Sequence, residues 1–211
     1  INMNGTVVKN QLIFDFASGI LGPAKSILAS TYLQLNSNAS KIGNTFENMM
    51  GENLMDNENI YPKKLKYTDC IASNETVVKN VNKDPVTTFF GDLNNIKWKQ
   101  VYKGFKEYTA SIEDKDELKL IKMDPGVSVP HHSHGGKEFI LVLEGSFRDE
   151  YGEYSKGDIQ INDQKIKHTP IASIETGCVC LSITEKDVIF FGKYGSFLNL
   201  FTFIKSFFKQ K

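Results

Sequence analysis

All four histidines of the 211-residue chain lie between positions 131 and 168, and their arrangement constrains the fold more than any other feature. His132 and His134 are two residues apart, so on a strand both rings leave the same face. Glu138 follows four residues later, past Gly135-Gly136, at the head of an apolar run. His168 belongs to a separate run and can approach the same point from a neighbouring strand. Three neutral imidazoles and one carboxylate make a site for Zn, Fe, Mn, Ni or Cu. A carboxylate buried there without a cation would be strongly disfavoured. His131 has the opposite parity and is expected to point outward, beside the site rather than in it.

The surrounding pattern agrees with this demand for converging strands. Short alternating runs occur at 117–123, 138–143, 158–162 and 178–184, punctuated by Gly126, Gly145, Gly152, Gly157 and Gly177. Many short strands between turn residues predict an all-β barrel or jelly roll. Residues 11–55 read differently. Leu12, Ile13, Phe16 and Ile20 recur at helical spacing, as do Ala24, Ile27, Leu28, Thr31 and Leu35, and then Ile42, Phe46, Met49, Met50 and Leu54. Gly22-Pro23 can open the second helix, and the polar run 36–40 is a turn with capping residues. Three helices of this size bury little surface by themselves. Residues 56–88 lose periodicity and are expected to hold at most one short element.

Composition removes several function classes. Lysine and arginine balance aspartate and glutamate at 25 each, so a chain-wide grip on nucleic acid is not expected. Arg148 is the only arginine, which argues against guanidinium readout of bases or phosphates. Three cysteines, Cys70, Cys178 and Cys180, cannot build a dense disulfide framework. No uncharged apolar stretch reaches the ~20 residues of a bilayer span. These features predict a cytoplasmic protein with reduced thiols and no membrane span.

The spacing Gly126-x5-His132-x-His134-x3-Glu138-x6-Gly145 resembles the first motif of the cupins, without a gap. The second motif is partly present: Gly157 and His168 stand at its separation, whereas Asp163, Lys165 and Ala172 replace its Pro, Gly and Asn. The resemblance implies a mainly β, double-stranded β-helix (jelly roll) with one divalent metal in the barrel mouth, held by His132, His134, Glu138 and His168. Residues 122–158, 168–170, 177–181 and 190–201 are moreover similar to the cupin half of ChrR-type anti-sigma factors, and residues 12–35 to that family's sigma-binding helices. The implied organisation is a small three-helix, anti-sigma-like domain at 1–58, a linker at 59–88, and a metal-binding cupin domain with a Phe-rich tail at 89–211. The implied partner is an extracytoplasmic-function-type sigma factor, and the implied metal is zinc first, with Fe, Mn or Ni as alternatives.

One departure concerns the helices. Where the family's N-terminal domain binds zinc, this chain has Tyr32, Asn36 and Ala39, so no zinc is expected there. Phe14, Phe16, Ile20, Ile27 and Tyr32 are the candidate contacts for a sigma factor. The alternative function is a metal-dependent cupin enzyme, a dioxygenase, lyase or isomerase acting on a small molecule. No catalytic residue is assigned. Tyr151 and Tyr154 fall in the run 149–154, which reads as a polar hairpin. Cys178 and Cys180 share a strand face and are expected to be small core residues, their spacing being awkward for a disulfide. The Phe-rich tail is a candidate homodimer face or a cover for the barrel end.

Overall fold

The computed structural model describes residues 3–55, 85–192 and 199. The linker expected at 59–88 lies outside them up to residue 84, as do Cys70 and all of the Phe-rich tail after Gly192 except Asn199. The chain divides into two units, Ile1–Ile96 and Lys97–Lys211. Among the described residues no helix is long and apolar enough to cross a membrane.

The first unit holds α1 (Met3–Ala17), α2 (Pro23–Leu35), α3 (Ser37–Met55) and a short α4 (Pro85–Phe90). Pro23 opens α2 at a position where its missing N–H costs nothing. A single residue, Asn36, separates α2 from α3; its side-chain oxygen accepts from the Ala39 N–H at 3.1 Å and so caps α3. The polar run 36–40 is therefore mostly helix, not turn. Leu12 and Ile13 of α1, Ala24, Ile27, Leu28, Ala29 and Tyr32 of α2, and Ala39 of α3 form the buried core of this unit. Gly43 lets α3 approach α2, since a Cβ there would sit 3.0 Å from a Leu33 methyl. α1 begins eight residues before the expected start, at Met3. Phe14 and Phe46 meet edge to face at 5.5 Å, and with Val7, Asn10 and Gln11 they line an open groove of about 340 Å³.

The second unit is antiparallel throughout. Its strands are β1 (Lys99–Tyr102), β2 (Phe105–Thr109), β3 (Glu117–Met123), β4 (His132–His134), β5 (Glu138–Asp149), β6 (Gly152–Ser155), β7 (Ile159–Asn162), β8 (Ile171–Ala172), β9 (Cys178–Thr184) and β10 (Val188–Phe190). The eight-stranded sheet runs β1-β2-β3-β9-β5-β6, with β7 and β8 also paired to β5; β4 and β10 form a second, two-stranded sheet. β5 organises the unit: its first part pairs with β7 and β9, its last part with β6 and β8. The change of partners follows a bulge between Val142 and Glu144, which inserts a residue and bends the strand. Ile140, Val142, Met123, Phe105, Phe147, Cys178 and Cys180 pack as one apolar cluster.

Gly145 ends the bulged stretch at φ +67°, and a Cβ there would run into the Gly177 carbonyl. The spacing that places a glycine seven residues after Glu138 thus reflects a backbone requirement. Gly145→Ala is expected to lower stability by about 2 kcal/mol, measured by equilibrium urea unfolding of the metal-free chain. A loss below about 0.5 kcal/mol, the usual range for a surface change, would mean that the neighbouring loop yields freely.

Candidate metal centre

Two strands and one bridging residue bring the four predicted donors together. β4 carries His132 and His134 on one face, and β10 holds β4 in place, with Phe190 opposite His132 and Val188 opposite His134. Asn199 in turn brackets Phe190, accepting from its N–H at 2.7 Å and donating to its carbonyl at 3.0 Å. Glu138 opens β5 beside Asn162 and Thr184. His168 forms an isolated bridge with His132 through two backbone hydrogen bonds of 3.1 and 3.0 Å. One potential ligand atom from each of His132, His134, Glu138 and His168 lies within 4.8 Å of the others. All four residues are buried, His168 completely.

The hydrogen bonds behind the rings orient them. His132 donates from Nδ1 to the Pro130 carbonyl at 2.8 Å, leaving Nε2 for the interior. His168 Nδ1 lies 2.9 Å from Asp149 Oδ2. His168 Nε2 and His134 Nε2 are 3.4 Å apart, and they lie 3.6 and 2.9 Å from Glu138 Oε2. Asn162 donates to the same Glu138 oxygen at 3.1 Å. His134 Nδ1 is buried without a hydrogen-bond partner among the described residues, as befits a ring whose place is set by its other nitrogen.

Electrostatics favour a cation at this point. Burial opposes the charged form of Glu138, but the His134 hydrogen bond and the three nearby imidazoles outweigh it and hold the carboxyl below its ordinary range. Burial pushes the His132 imidazole down to about 4, against the pull of Glu138. The combination of a carboxylate kept ionised and a neutral imidazole is the protonation state that metal ligation needs. Three imidazoles and one carboxylate closed off from solvent fit a cupin metal site, and the residues suit the group.

Other expectations meet varied outcomes. His131 is half exposed and turned away, with Nδ1 3.0 Å from the Thr169 hydroxyl. Phe14 and Ile20 are exposed on the helical unit, but Ile27 and Tyr32 are buried in its core at 6% exposure each and cannot serve as surface contacts as they stand. The run 149–154 is a β5–β6 hairpin. Tyr151 donates from its hydroxyl to the Lys167 carbonyl, and Tyr154 accepts from Gln160 at 3.1 Å. Cys178 and Cys180 are buried free thiols in the apolar cluster, with sulfurs 3.2 Å apart. That is closer than their strand spacing suggests, because both side chains turn toward each other. The contact with Cys178, and burial after it, raise the Cys180 thiol well above its usual range.

Asp149, Asn162 and Gln160 are the polar neighbours that the sequence pattern does not single out. Burial works against the charged form of Asp149, yet hydrogen bonds from His168, Gln160 and the Tyr151 N–H hold it below the usual carboxylate range. Asn162 carried a usable signal, since it ends an alternating run that can lie beside Glu138. Asp149 did not, because it stands in a stretch of charged and polar residues that looks solvated.

Residues 86–186 match the family described as the ChrR Cupin-like domain. Over 204 residues the chain is 26% identical to the anti-sigma-E factor ChrR of Cereibacter sphaeroides, which spans 90% of this chain and 92% of that protein. A chain in the crystal structure of Rhodobacter sphaeroides SigE in complex with the anti-sigma ChrR is 26% identical, with a TM-score of 0.69 over 83% of this chain and 96% of that one. The second unit has the cupin fold, and three helices precede it. A likeness of this extent runs through both units. The chain is thus similar to the anti-sigma factor ChrR along most of its length, and residues 86–186 match the ChrR Cupin-like domain.

Proposed function

We propose that this chain is a cytoplasmic anti-sigma regulator, in which the helical unit binds an extracytoplasmic-function-type sigma factor and the cupin unit is a metal-dependent sensor. The observation that carries this reading is the extent of the likeness to ChrR, 90% of the chain. A cupin enzyme with the same ligands would account for the second unit and leave the helices without a task. The surface of the helical unit supports a protein contact. Val7 is 66% exposed and Phe14 41% exposed beside the groove that Phe46 completes. An amphipathic segment of the sigma factor is the occupant we assign to it, by the helix-in-groove mode.

His132, His134, Glu138 and His168 would hold one divalent ion, and zinc is our assignment. Zinc suits a four-donor shell from which solvent is excluded. The ion would neutralise the Glu138 carboxylate and tie β4, β5 and the His168 segment together. A signal acting on the cupin unit would then shift the population between states of different sigma affinity.

The test is titration of the full zinc-loaded chain against the extracytoplasmic-function-type sigma factors of its host. Saturable binding to one of them is expected, weakened at least about tenfold by Phe14→Glu, since a central aromatic anchor typically contributes more than ~1.4 kcal/mol. Absence of saturable binding to any of them would overturn the regulatory reading.

A further inference from the structure

We propose that the β5–β6 turn is a clamp that positions His168, with Asp149 as its positioning residue. The proposal rests on the reading that the four buried residues hold a metal. His168 lies outside the named strands, and its backbone is held to β4 by a single isolated bridge to His132. Its placement therefore needs a second support, and the turn grips three consecutive residues there. Tyr151 Oη donates to the Lys167 carbonyl at 3.2 Å, Asp149 Oδ2 lies 2.9 Å from His168 Nδ1, and the Thr169 N–H donates to Glu150 Oε2 at 2.9 Å.

Asp149 belongs to the turn and to the site at once. Its Oδ1 accepts from the N–H groups of Tyr151 and Gly152 at 2.8 and 3.2 Å. Its Oδ2 takes His168 and also Gln160 Nε2, at 2.7 Å. Its side chain and that of His168 have no solvent exposure. A carboxylate accepts and cannot donate, so the Nδ1 of His168 carries the proton and the Nε2 lone pair faces His134 and Glu138. The pair is thus a carboxylate–histidine support, which orients the ring and selects the tautomer able to bind a cation. Because Tyr151 and Glu150 are exposed, the clamp also links the outer surface of the hairpin to a buried ligand.

Asp149→Asn is the informative variant because it keeps the shape. With its oxygen still turned to the two backbone N–H groups, the new amide nitrogen would face His168 Nδ1. Gln160, whose Oε1 has no hydrogen-bond partner among the described residues, can turn its amide to accept from that nitrogen. His168 would then take the Nε2–H tautomer, which cannot ligate through Nε2. The full chain and its Asp149→Asn and Asp149→Ala variants would be titrated with zinc against a chromophoric chelator. The His168 tautomer would be read in the zinc-free proteins by long-range nitrogen–proton NMR. Zinc affinity is expected to fall by about 10–100-fold in both variants, with loss of the Nδ1–H signal in the Asn variant. Asp149→Asn carries the test if the Ala variant does not fold. Wild-type zinc affinity with Nδ1–H retained in Asp149→Asn would overturn the clamp. A wild-type chain that takes up no zinc would sink the metal reading instead, while the tautomer measurement would still decide whether Asp149 sets the His168 ring.

Discussion

Glu138→Ala is expected to leave the full chain without stoichiometric metal after desalting. Glu138 supplies the only negative charge among the four candidate donors, and its carboxyl is held below its ordinary range despite its burial. Three neutral imidazoles would have to keep a divalent ion in a buried site without an anionic ligand. Removing one member of a buried charged cluster typically costs about 3–5 kcal/mol, which corresponds to a loss of roughly a hundred- to several-thousand-fold in affinity. Glu138→Gln separates charge from shape: an amide can still accept from Asn162, so the strand pairing at the head of β5 should persist while affinity falls. His132→Ala removes a ligand from the other sheet, and the double variant should bind no zinc at all. Metal content by elemental analysis and competition titration decide the matter. A double variant that retained one ion per chain would place the metal elsewhere in the protein.

The convergence of these four residues was readable from spacing because strand geometry converts parity into direction. His132 and His134 share a face by that rule, and the glycines at 126 and 145 both take positive φ, the first before β4 and the second at the end of the β5 bulge. The runs at 117–123 and 178–184 coincide with β3 and β9. Asp149 shows where the rule stops. It stands eleven residues after Glu138, so an unbroken strand would send it to the opposite face. The bulge between Val142 and Glu144 adds one residue, reverses the parity of the second half of β5, and brings Phe147 and Asp149 inward. A bulge leaves no periodic trace that a single sequence can reveal.

The helices illustrate a different limit. The start of α1 was hidden because Asn4, Gly5, Thr6 and the two valines are poor helix formers, and packing rather than propensity sustains most short helices in proteins. Ile27 and Tyr32 were legible as apolar but not as inward-facing. A stripe of apolar residues says that a face is buried without saying against what. Tyr32 and Ala39 are both packed inside the helical unit, and Asn36 between them spends its side chain on the α3 cap. These positions therefore contribute to the order of the unit by burial and capping.

Acid should destabilise the metal-free protein in a window set by His132. Burial lowers that imidazole to about 4 in the folded chain, against about 6.5 when it is exposed. Between these values the unfolded chain binds a proton that the folded chain does not, so stability falls as pH falls. Above about 6.5 both states carry a neutral ring and the contribution is fully present; below about 4 both are protonated and no further loss comes from this residue. At about 1.4 kcal/mol per pH unit across that interval, the loss approaches ~3 kcal/mol. Glu138 and Asp149 are also held below their ordinary values, which gives the same sign. Their contributions are present above the unfolded carboxyl pKa and disappear at lower pH, beneath most of the His132 window. The slope between pH 4.5 and 6.5 therefore belongs mainly to the imidazole. Urea unfolding midpoints of the chelator-treated chain should drop across this range, and His132→Gln, which cannot titrate, should flatten the drop. Equal slopes for the wild-type and His132→Gln chains would show that the ring is not held neutral by its burial. Saturating zinc should steepen the wild-type dependence, because protons and the ion compete for the same nitrogens.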